Sequence, residues 1–198
     1  MDFSSFQDKV IALFKSELPA DLFYHSVQHA IDVLQSSEAI SLAEGLTGDN
    51  LTIVETAALL HDVGFIEKYD KNEEASCRIA QELLPSFRYN SKQISTIKGV
   101  IMATRIPQNP LNLFDRIVCD ADLDYLGTSD FENKSDLLRK ELKVHGKNFT
   151  DAEWLQYEIG FISHHQYWTN TSTEFREPQK KRNLEILKRQ LMKLKKRK

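Results

Sequence analysis

Apolar residues recur along most of this chain at the three- and four-residue spacing that places them on one face of an α-helix. In the first segment Phe6, Val10 and Phe14 share such a face, and similar stripes return throughout the chain. No stretch alternates apolar and polar residues over the length of a strand. The pattern therefore predicts an all-α fold, and we expect one domain of about nine helices over residues 1–198.

Glycine, proline and capping residues predict where these helices begin and end. Two segments are typical of capping boxes, Thr52-x-x-Glu55 and Thr150-x-x-Glu153. The predicted helices run over residues 5–17, 26–43, 51–63, 72–84, 91–106, 111–125, 129–144 and 154–164, with a last helix from about Pro178.

The helix predicted from Leu51 is apolar nearly all round until its last turn, where His61 and Asp62 stand side by side. A helix that is apolar on every side is normally buried, so both ionisable residues should face the interior. A buried carboxylate is costly unless it is paired or binds a metal. The doublet therefore indicates either a hydrogen-bonded pair at a helix end or part of a chemical site.

Two histidines upstream, His25 and His29, lie one turn apart if the segment around them opens a helix. Imidazoles at this spacing can converge on one ion or one substrate. An ordinary surface or core role for each histidine is the simpler alternative, and the pair alone leaves both open.

Three acids alternate near residue 120, and helical phase separates them. Asp122 extends the apolar row of Phe114 and Val118, so it is expected to point inward. Asp120 and Asp124 lie two residues away and face elsewhere, where we expect a surface or capping role.

The inward-facing set lacks thiolates and combines imidazoles with carboxylates, which suits a divalent ion with positions open to water. A metal in such a site lowers the pKa of a bound water and polarises a phosphoryl oxygen. The candidate ligands are His29, His61, Asp62 and Asp122.

The order of these residues, with Asp122 inside Ala121-Asp122-Leu123, resembles the H…HD…D signature of the HD-domain metal-dependent phosphohydrolase superfamily. The resemblance covers about residues 22–127. It implies a helical bundle in which the four positions bind one divalent metal: Mn, Mg, Zn, Fe, Co or Ni. It also implies that a metal-bound water attacks a phosphomonoester, a phosphodiester or a nucleotide.

The segment Tyr24-His25-x-x-x-His29 is further similar to the start of cyclic-nucleotide phosphodiesterases, which implies that His25 is the general acid. Dinuclear members of the superfamily, including oxygen-activating ones with two irons, have additional histidines after the HD pair. This chain has Asn72 at that place and no histidine between His61 and His145, so one metal is expected. A cyclic nucleotide is not expected as substrate, because the base-clamping glutamine of that family is not found.

Three further residues are candidates for holding the substrate. Lys68 and Arg105 can neutralise a phosphate, and the resemblance places Glu73 where an acid orients a water or a metal ligand. Each of the three is otherwise a solvated surface charge. The segment 164–169 can either fold over the pocket or simply cap the end of a helix.

Composition is that of a globular protein, with 41% hydrophobic and 28% charged residues. The two cysteines, Cys77 and Cys119, form no Cys-x-x-Cys pattern, which fits a reducing compartment. We find neither a signal-peptide pattern nor an apolar run of membrane-spanning length. A cytoplasmic protein without a membrane partner is therefore expected.

The net charge of −3 hides an asymmetry, because residues 179–198 carry ten Lys or Arg and one acid. This segment is predicted to form a basic C-terminal helix whose apolar face docks on the acidic body. Nucleic acid is a less favoured partner than a small phosphorylated, nucleotide-like substrate. The alternative to an enzyme is a non-catalytic regulatory module, in which a metal or nucleotide site controls partner binding through this tail.

Overall fold

The computed structural model describes residues 1–196, within which it contains nine α-helices, three short 3₁₀ turns and no strand. The helices are α1 (Phe3–Glu17), α2 (Val27–Ala43), α3 (Gly48–Leu60), α4 (Asn72–Leu83), α5 (Ser91–Ala103), α6 (Leu113–Asp122), α7 (Phe131–Val144), α8 (Asp151–His164) and α9 (Asn170–Lys195). The 3₁₀ turns are Val63–Ile66, Leu84–Phe87 and Asp124–Gly127. The predicted all-α class is confirmed.

Local sequence accounts for several helix starts. The side chain of Ser26 accepts a hydrogen bond from the backbone N–H of His29 and caps α2. Thr150 and Glu153 form the predicted capping box on α8. The box predicted at Thr52 is wrong, because α3 already begins at Gly48 and Thr52 lies inside the helix. There the carbonyl of Thr52 accepts a hydrogen bond from the Thr56 hydroxyl at 2.6 Å.

The last helix also begins earlier than predicted, at Asn170, and Pro178 lies inside it. Thr169 caps this helix by accepting a hydrogen bond from the backbone N–H of Ser172 at 3.1 Å. The same threonine is held by Asp120, so a tertiary contact determines where α9 starts. Helix α6 in turn ends at Asp122, three residues before its predicted end at Tyr125.

Helix α3 lies at the centre of the larger hydrophobic cluster, where it contacts α1, α2, α5 and α6. Val54, Ala58 and Leu59 are fully buried, which agrees with the apolar character of this helix on every side. Because α3 ends at Leu60, the next two residues, His61 and Asp62, emerge inside the protein.

The C-terminal helix packs against a second, smaller cluster formed with α7 and α8. Leu187 is buried there, and Leu184, Leu191 and Leu194 are partly buried beside it. The predicted basic helix therefore docks one face on the body; its last two residues, Arg197 and Lys198, lie outside the described part of the chain. Over residues 1–196, no helix combines the length and the apolarity needed to cross a lipid bilayer.

Candidate metal centre

Three helices bring the four candidate ligands to one point. His29 lies in the first turn of α2, His61 and Asp62 follow α3, and Asp122 ends α6. One potential ligand atom from each residue lies within 4.8 Å of the others. The Nε2 atom of His61 is 3.1 Å from an Asp62 oxygen, and that of His29 is 3.2 Å from an Asp122 oxygen.

The donor atoms of this cluster suit a divalent cation. Nε2 of His29 and Nε2 of His61 are buried and make no hydrogen bond of normal geometry to any residue within 1–196. Nδ1 of His61 lies 2.7 Å from the carbonyl oxygen of Ala58 and donates to it, which directs the other ring nitrogen to the cluster. Two imidazole nitrogens and two carboxylates form an N/O ligand set.

The charges within the cluster shift the pKa values of its members. Burial lowers the pKa of His29 and of His61, but the adjacent carboxylates of Asp62 and Asp122 outweigh burial and raise both. Burial likewise raises the pKa of Asp122, and the two histidines bring it down to about 2. The carboxylates therefore favour positive charge at this point, which protons on the imidazoles or a divalent cation can supply.

Helix α4 fixes the turn that carries His61 and Asp62. The amide of Asn72 donates to Oδ1 of Asp62 at 2.8 Å, and the Ser76 hydroxyl donates to the backbone carbonyl of His61 at 2.8 Å. Only glycine fits at position 64, because a Cβ atom there would collide with the backbone of Asn72 and Ser76. Asn72, at the place where dinuclear members have a histidine, thus orients a candidate ligand.

His25 is held by a residue that the sequence analysis missed, Glu141 on α7. Nδ1 of His25 makes a very short contact with Oε1 of this fully buried carboxylate. Its other oxygen, Oε2, accepts hydrogen bonds from the backbone N–H groups of Tyr24 and His25 at 2.8 and 3.0 Å. Burial raises the pKa of Glu141, but its hydrogen bonds with His25 and Tyr24 outweigh burial and lower it.

The signal for Glu141 in the sequence is weak. Leu137 and Leu138 precede it by four and three residues, which places it on their side of α7. A lone acid beside an apolar stripe does not reveal that its partner lies 116 residues away. Only the packing of α7 against the segment before α2 makes this pair.

His25, Asp62 and Asp122 line one cavity of about 590 Å³. Glu73 and Arg105, predicted to hold the substrate, line the same cavity, and Arg105 Nε lies 3.6 Å from a Glu73 oxygen. Lys68 is not part of this lining; its Nζ lies 3.7 Å from a Glu74 oxygen. The arrangement places one imidazole and one guanidinium beside the potential metal ligands.

The surface role expected for Asp120 and Asp124 is wrong, although neither carboxylate belongs to the cluster that contains Asp122. Asp120 is fully buried and accepts hydrogen bonds from the backbone N–H groups of Trp168 and Thr169, both at 2.8 Å. Asp124 pairs with Arg176 at 2.6 Å. Both carboxylates face α9 and the segment before it, which sequence periodicity within α6 does not reveal.

The model of the HD domain family matches residues 26–124, half of the chain. The chain belongs to the HD-domain family. All four candidate ligands of this HD domain lie within the matched range, and His25 precedes it by one residue.

Two further comparisons give a relative in sequence and a likeness in fold. The HD domain is 37% identical over 84 residues to an uncharacterized protein of Clostridium beijerinckii, an alignment of 41% of this chain. The aligned part of the chain spans about half the length of that relative (53%). The fold of this chain is similar to the crystal structure of a predicted HD superfamily hydrolase from an uncultured Thermotogales bacterium, with a TM-score of 0.64. That likeness covers 98% of this chain and 99% of the other at 18% identity, so it bears on the fold alone.

Proposed function

We propose that this HD domain is a metal-dependent phosphohydrolase that acts on a phosphomonoester, a phosphodiester or a nucleotide. The observation that carries the proposal is the cluster of four ligand-type side chains, two of which, Asp62 and Asp122, line the cavity that His25 also lines. Within residues 1–196, the buried Nε2 atoms of its two histidines make no hydrogen bond of normal geometry. Family membership makes hydrolysis the expected chemistry of such a cluster.

His29, His61, Asp62 and Asp122 would hold one divalent cation, which supplies a Lewis acid for the phosphoryl group and lowers the pKa of a water. His25 protonates the leaving oxygen. Its Nδ1–H is held by the Glu141 carboxylate, which leaves Nε2–H as the proton to transfer. The His25 ring also stacks on Phe65, with 4.3 Å between ring centroids, so its plane is defined before substrate binds.

The charged residues of the cavity wall position the phosphate. Arg105 offers a guanidinium to phosphoryl oxygens. It donates a hydrogen bond to Glu74 at 2.8 Å and lies 3.6 Å from a Glu73 oxygen, and both carboxylates keep the guanidinium in place. Lys68 remains a candidate for the outer part of the site, because its side chain is 41% exposed and pairs only loosely with Glu74. We expect one ion per chain, since the Asn72 amide already donates to Asp62 and offers no imidazole for a second.

The test is turnover by metal-depleted full-length protein reloaded with Mn, Mg, Co, Ni, Zn or Fe(II). The substrates are 4-nitrophenyl phosphate, bis(4-nitrophenyl) phosphate and a set of nucleotides. At least one ion should restore hydrolysis, and His61→Ala or Asp122→Asn should lose both the ion and the turnover. Asp136→Asn, an exposed aspartate on α7, is the matched control and should keep both. Tight binding of metal and nucleotide without turnover of any ester would contradict the proposal and favour a regulatory module.

A further inference from the structure

A second cavity, of about 610 Å³, adjoins the one that contains the candidate metal ligands. Ile106 lines both cavities, and Leu123, the residue after Asp122, lies in the wall of the second. A volume of this size is typical of small-molecule sites. We call it the aromatic cavity; its apolar walls are Ile106, Pro107, Leu123, Tyr157, Phe161 and Trp168.

The Trp168 wall of the aromatic cavity is held in place by hydrogen bonds that need no ligand. The indole N–H of Trp168 donates to Oε1 of Gln108 at 3.3 Å, and the Gln108 amide donates to the Cys119 carbonyl at 3.0 Å. The backbone N–H of Trp168 donates a hydrogen bond to Oδ1 of Asp120 at 2.8 Å. A rigid aromatic face of this kind favours stacking with a flat ring.

His165 lines the same cavity and presents one defined hydrogen-bond donor. The Lys180 ammonium lies 3.2 Å from Nδ1 of His165 and donates to it, so the proton of the neutral ring is on Nε2. Lys180 is itself fixed, because it also donates to the His165 carbonyl at 2.9 Å and pairs with Glu177 at 2.7 Å. Burial, reinforced by the charge of Lys180, lowers the pKa of His165 to about 3 and keeps the ring neutral.

This donor has no acceptor within residues 1–196: Nε2 of His165 is buried and makes no hydrogen bond. Buried donors in native proteins are nearly always satisfied, and an unsatisfied one at a cavity wall marks a place where a ligand atom can accept. The acceptor would be an unprotonated ring nitrogen or a carbonyl oxygen.

We infer that the aromatic cavity binds the organic part of the substrate, and that this part is a planar heteroaromatic ring which accepts a hydrogen bond from Nε2–H of His165. The inference rests on the proposed function, since the shared Ile106 and neighbouring Leu123 place the ring beside the phosphate site. Lys180 is a positioning residue that fixes the tautomer of His165. The substrate class is therefore a phosphoester whose alcohol carries a heteroaromatic ring rather than one whose alcohol is wholly aliphatic.

Binding is measured with phosphonates, whose C–P bond the proposed reaction leaves intact. The probes are cyclohexylmethyl phosphonate, naphthylmethyl phosphonate and the quinolinylmethyl isomers that replace one ring CH by nitrogen. The chain has two tryptophans, so Trp154→Phe leaves Trp168 as the only reporter of fluorescence. We expect naphthyl to bind about tenfold more tightly than cyclohexyl, and one quinoline isomer to gain about tenfold over naphthyl.

Variants distinguish the contribution of the His165 donor to binding from that of packing against the wall of the aromatic cavity. His165→Phe should abolish the preference for quinoline over naphthyl while retaining naphthyl binding, and His165→Gln, whose amide keeps an N–H donor, should retain part of the preference. Lys180→Met should weaken the preference, whereas Lys181→Met, on a lysine that is 72% exposed, should not. The ¹⁵N spectrum of the wild-type imidazoles should show His165 protonated at Nε2 alone.

Equal binding of naphthyl and cyclohexyl probes, an unchanged quinoline preference in His165→Phe, or a proton on Nδ1 would each overturn the inference. Turnover of the matching phosphates separates it from the proposed function. If cyclohexylmethyl and quinolinylmethyl phosphates have equal kcat/KM, hydrolysis stands and ring recognition is wrong. If the phosphonates bind with the expected preference but no phosphate is cleaved, the ring site stands and the hydrolase assignment fails.

Discussion

Three side chains of the candidate site, Asp62, His61 and His25, have a partner that sets their orientation. The Asn72 amide holds Asp62, the Ala58 carbonyl holds His61, and the buried Glu141 carboxylate holds His25. Such partners orient donor atoms before an ion or a substrate arrives, so that less ordering is needed on binding. Single substitutions at these positions therefore separate metal binding from proton transfer.

His25→Asn is expected to keep about one metal per chain while kcat falls by roughly 10²–10⁴, the usual contribution of a general acid. The loss should be smaller for 4-nitrophenyl phosphate, because a nitrophenolate leaving group needs little protonation. Metal analysis and steady-state kinetics on the same preparation measure both quantities. A His25→Asn protein that comes out metal-free would instead make His25 a ligand.

Asn72→Ala is expected to weaken metal affinity by about 10- to 100-fold, because the Asp62 carboxylate loses the donor that orients it. The affinity is obtained by competition with a chelator of known strength. Asn133→Ala, on an exposed asparagine of α7, serves as the control and should match the wild type. An unchanged affinity in Asn72→Ala would show that Asp62 needs no such support.

Among the helices, α6 supplies carboxylates to two different places. Asp122 joins the candidate metal ligands, while Asp120 accepts hydrogen bonds from Trp168 and Thr169 and so holds the start of α9. Because a step of two residues rotates a side chain by about 200° round a helix, one short acidic run contributes to both the candidate metal ligands and the packing of α9.

Asp120→Asn is expected to lower the free energy of unfolding by roughly 1–3 kcal/mol, since an amide cannot accept the same three hydrogen bonds as the buried carboxylate. Metal stoichiometry should remain that of the wild type. Asp122→Asn should do the reverse and lose the ion. Denaturant unfolding and metal analysis of both variants test this division of roles between Asp120 and Asp122. Metal loss confined to Asp120→Asn would refute it.

For the molecule as a whole, the candidate metal centre lies at the junction of two hydrophobic clusters. Ala121 belongs to the larger cluster and Leu123 to the smaller one, so Asp122 stands between them in the chain. The smaller cluster also encloses an acid, Glu158 of α8, which is 6% exposed. Burial raises the pKa of Glu158 to about 7 from its ordinary value of 4.5.

This pKa makes global stability depend on pH. The folded protein binds the Glu158 proton more tightly than the unfolded chain, so stability falls as the pH rises from about 4.5 to 7. Glu158→Gln removes this dependence and should be more stable than the wild type at pH 8 by up to roughly 3 kcal/mol, with little difference at pH 4.5. Urea unfolding at both pH values measures the effect.

Asp8→Asn, on an exposed aspartate of α1, is the control for that experiment and should not change the pH dependence. A difference between Glu158→Gln and the wild type that is the same at pH 4.5 and pH 8 would show that packing, rather than ionisation, is responsible.

The helical periodicity of the sequence was enough to predict several structural features of this protein. The all-round apolar character of α3 predicted that His61 and Asp62 are buried, and the phase of α6 selected Asp122 over its neighbours. The burial of His61 and Asp62 and the position of Asp122 beside them follow because the rotation per residue of a helix is constant, so spacing along the chain translates directly into direction.

Tertiary structure alone decided the rest. The pairing of Glu141 with His25, the burial of Asp120, the start of α9 at Asn170 and the donor on His165 each depend on a residue from another helix or loop. The Glu141 contact joins positions 116 residues apart. Helical periodicity gives the direction of a side chain but not the element that meets it, and the chemistry of a buried polar group is set by that neighbour.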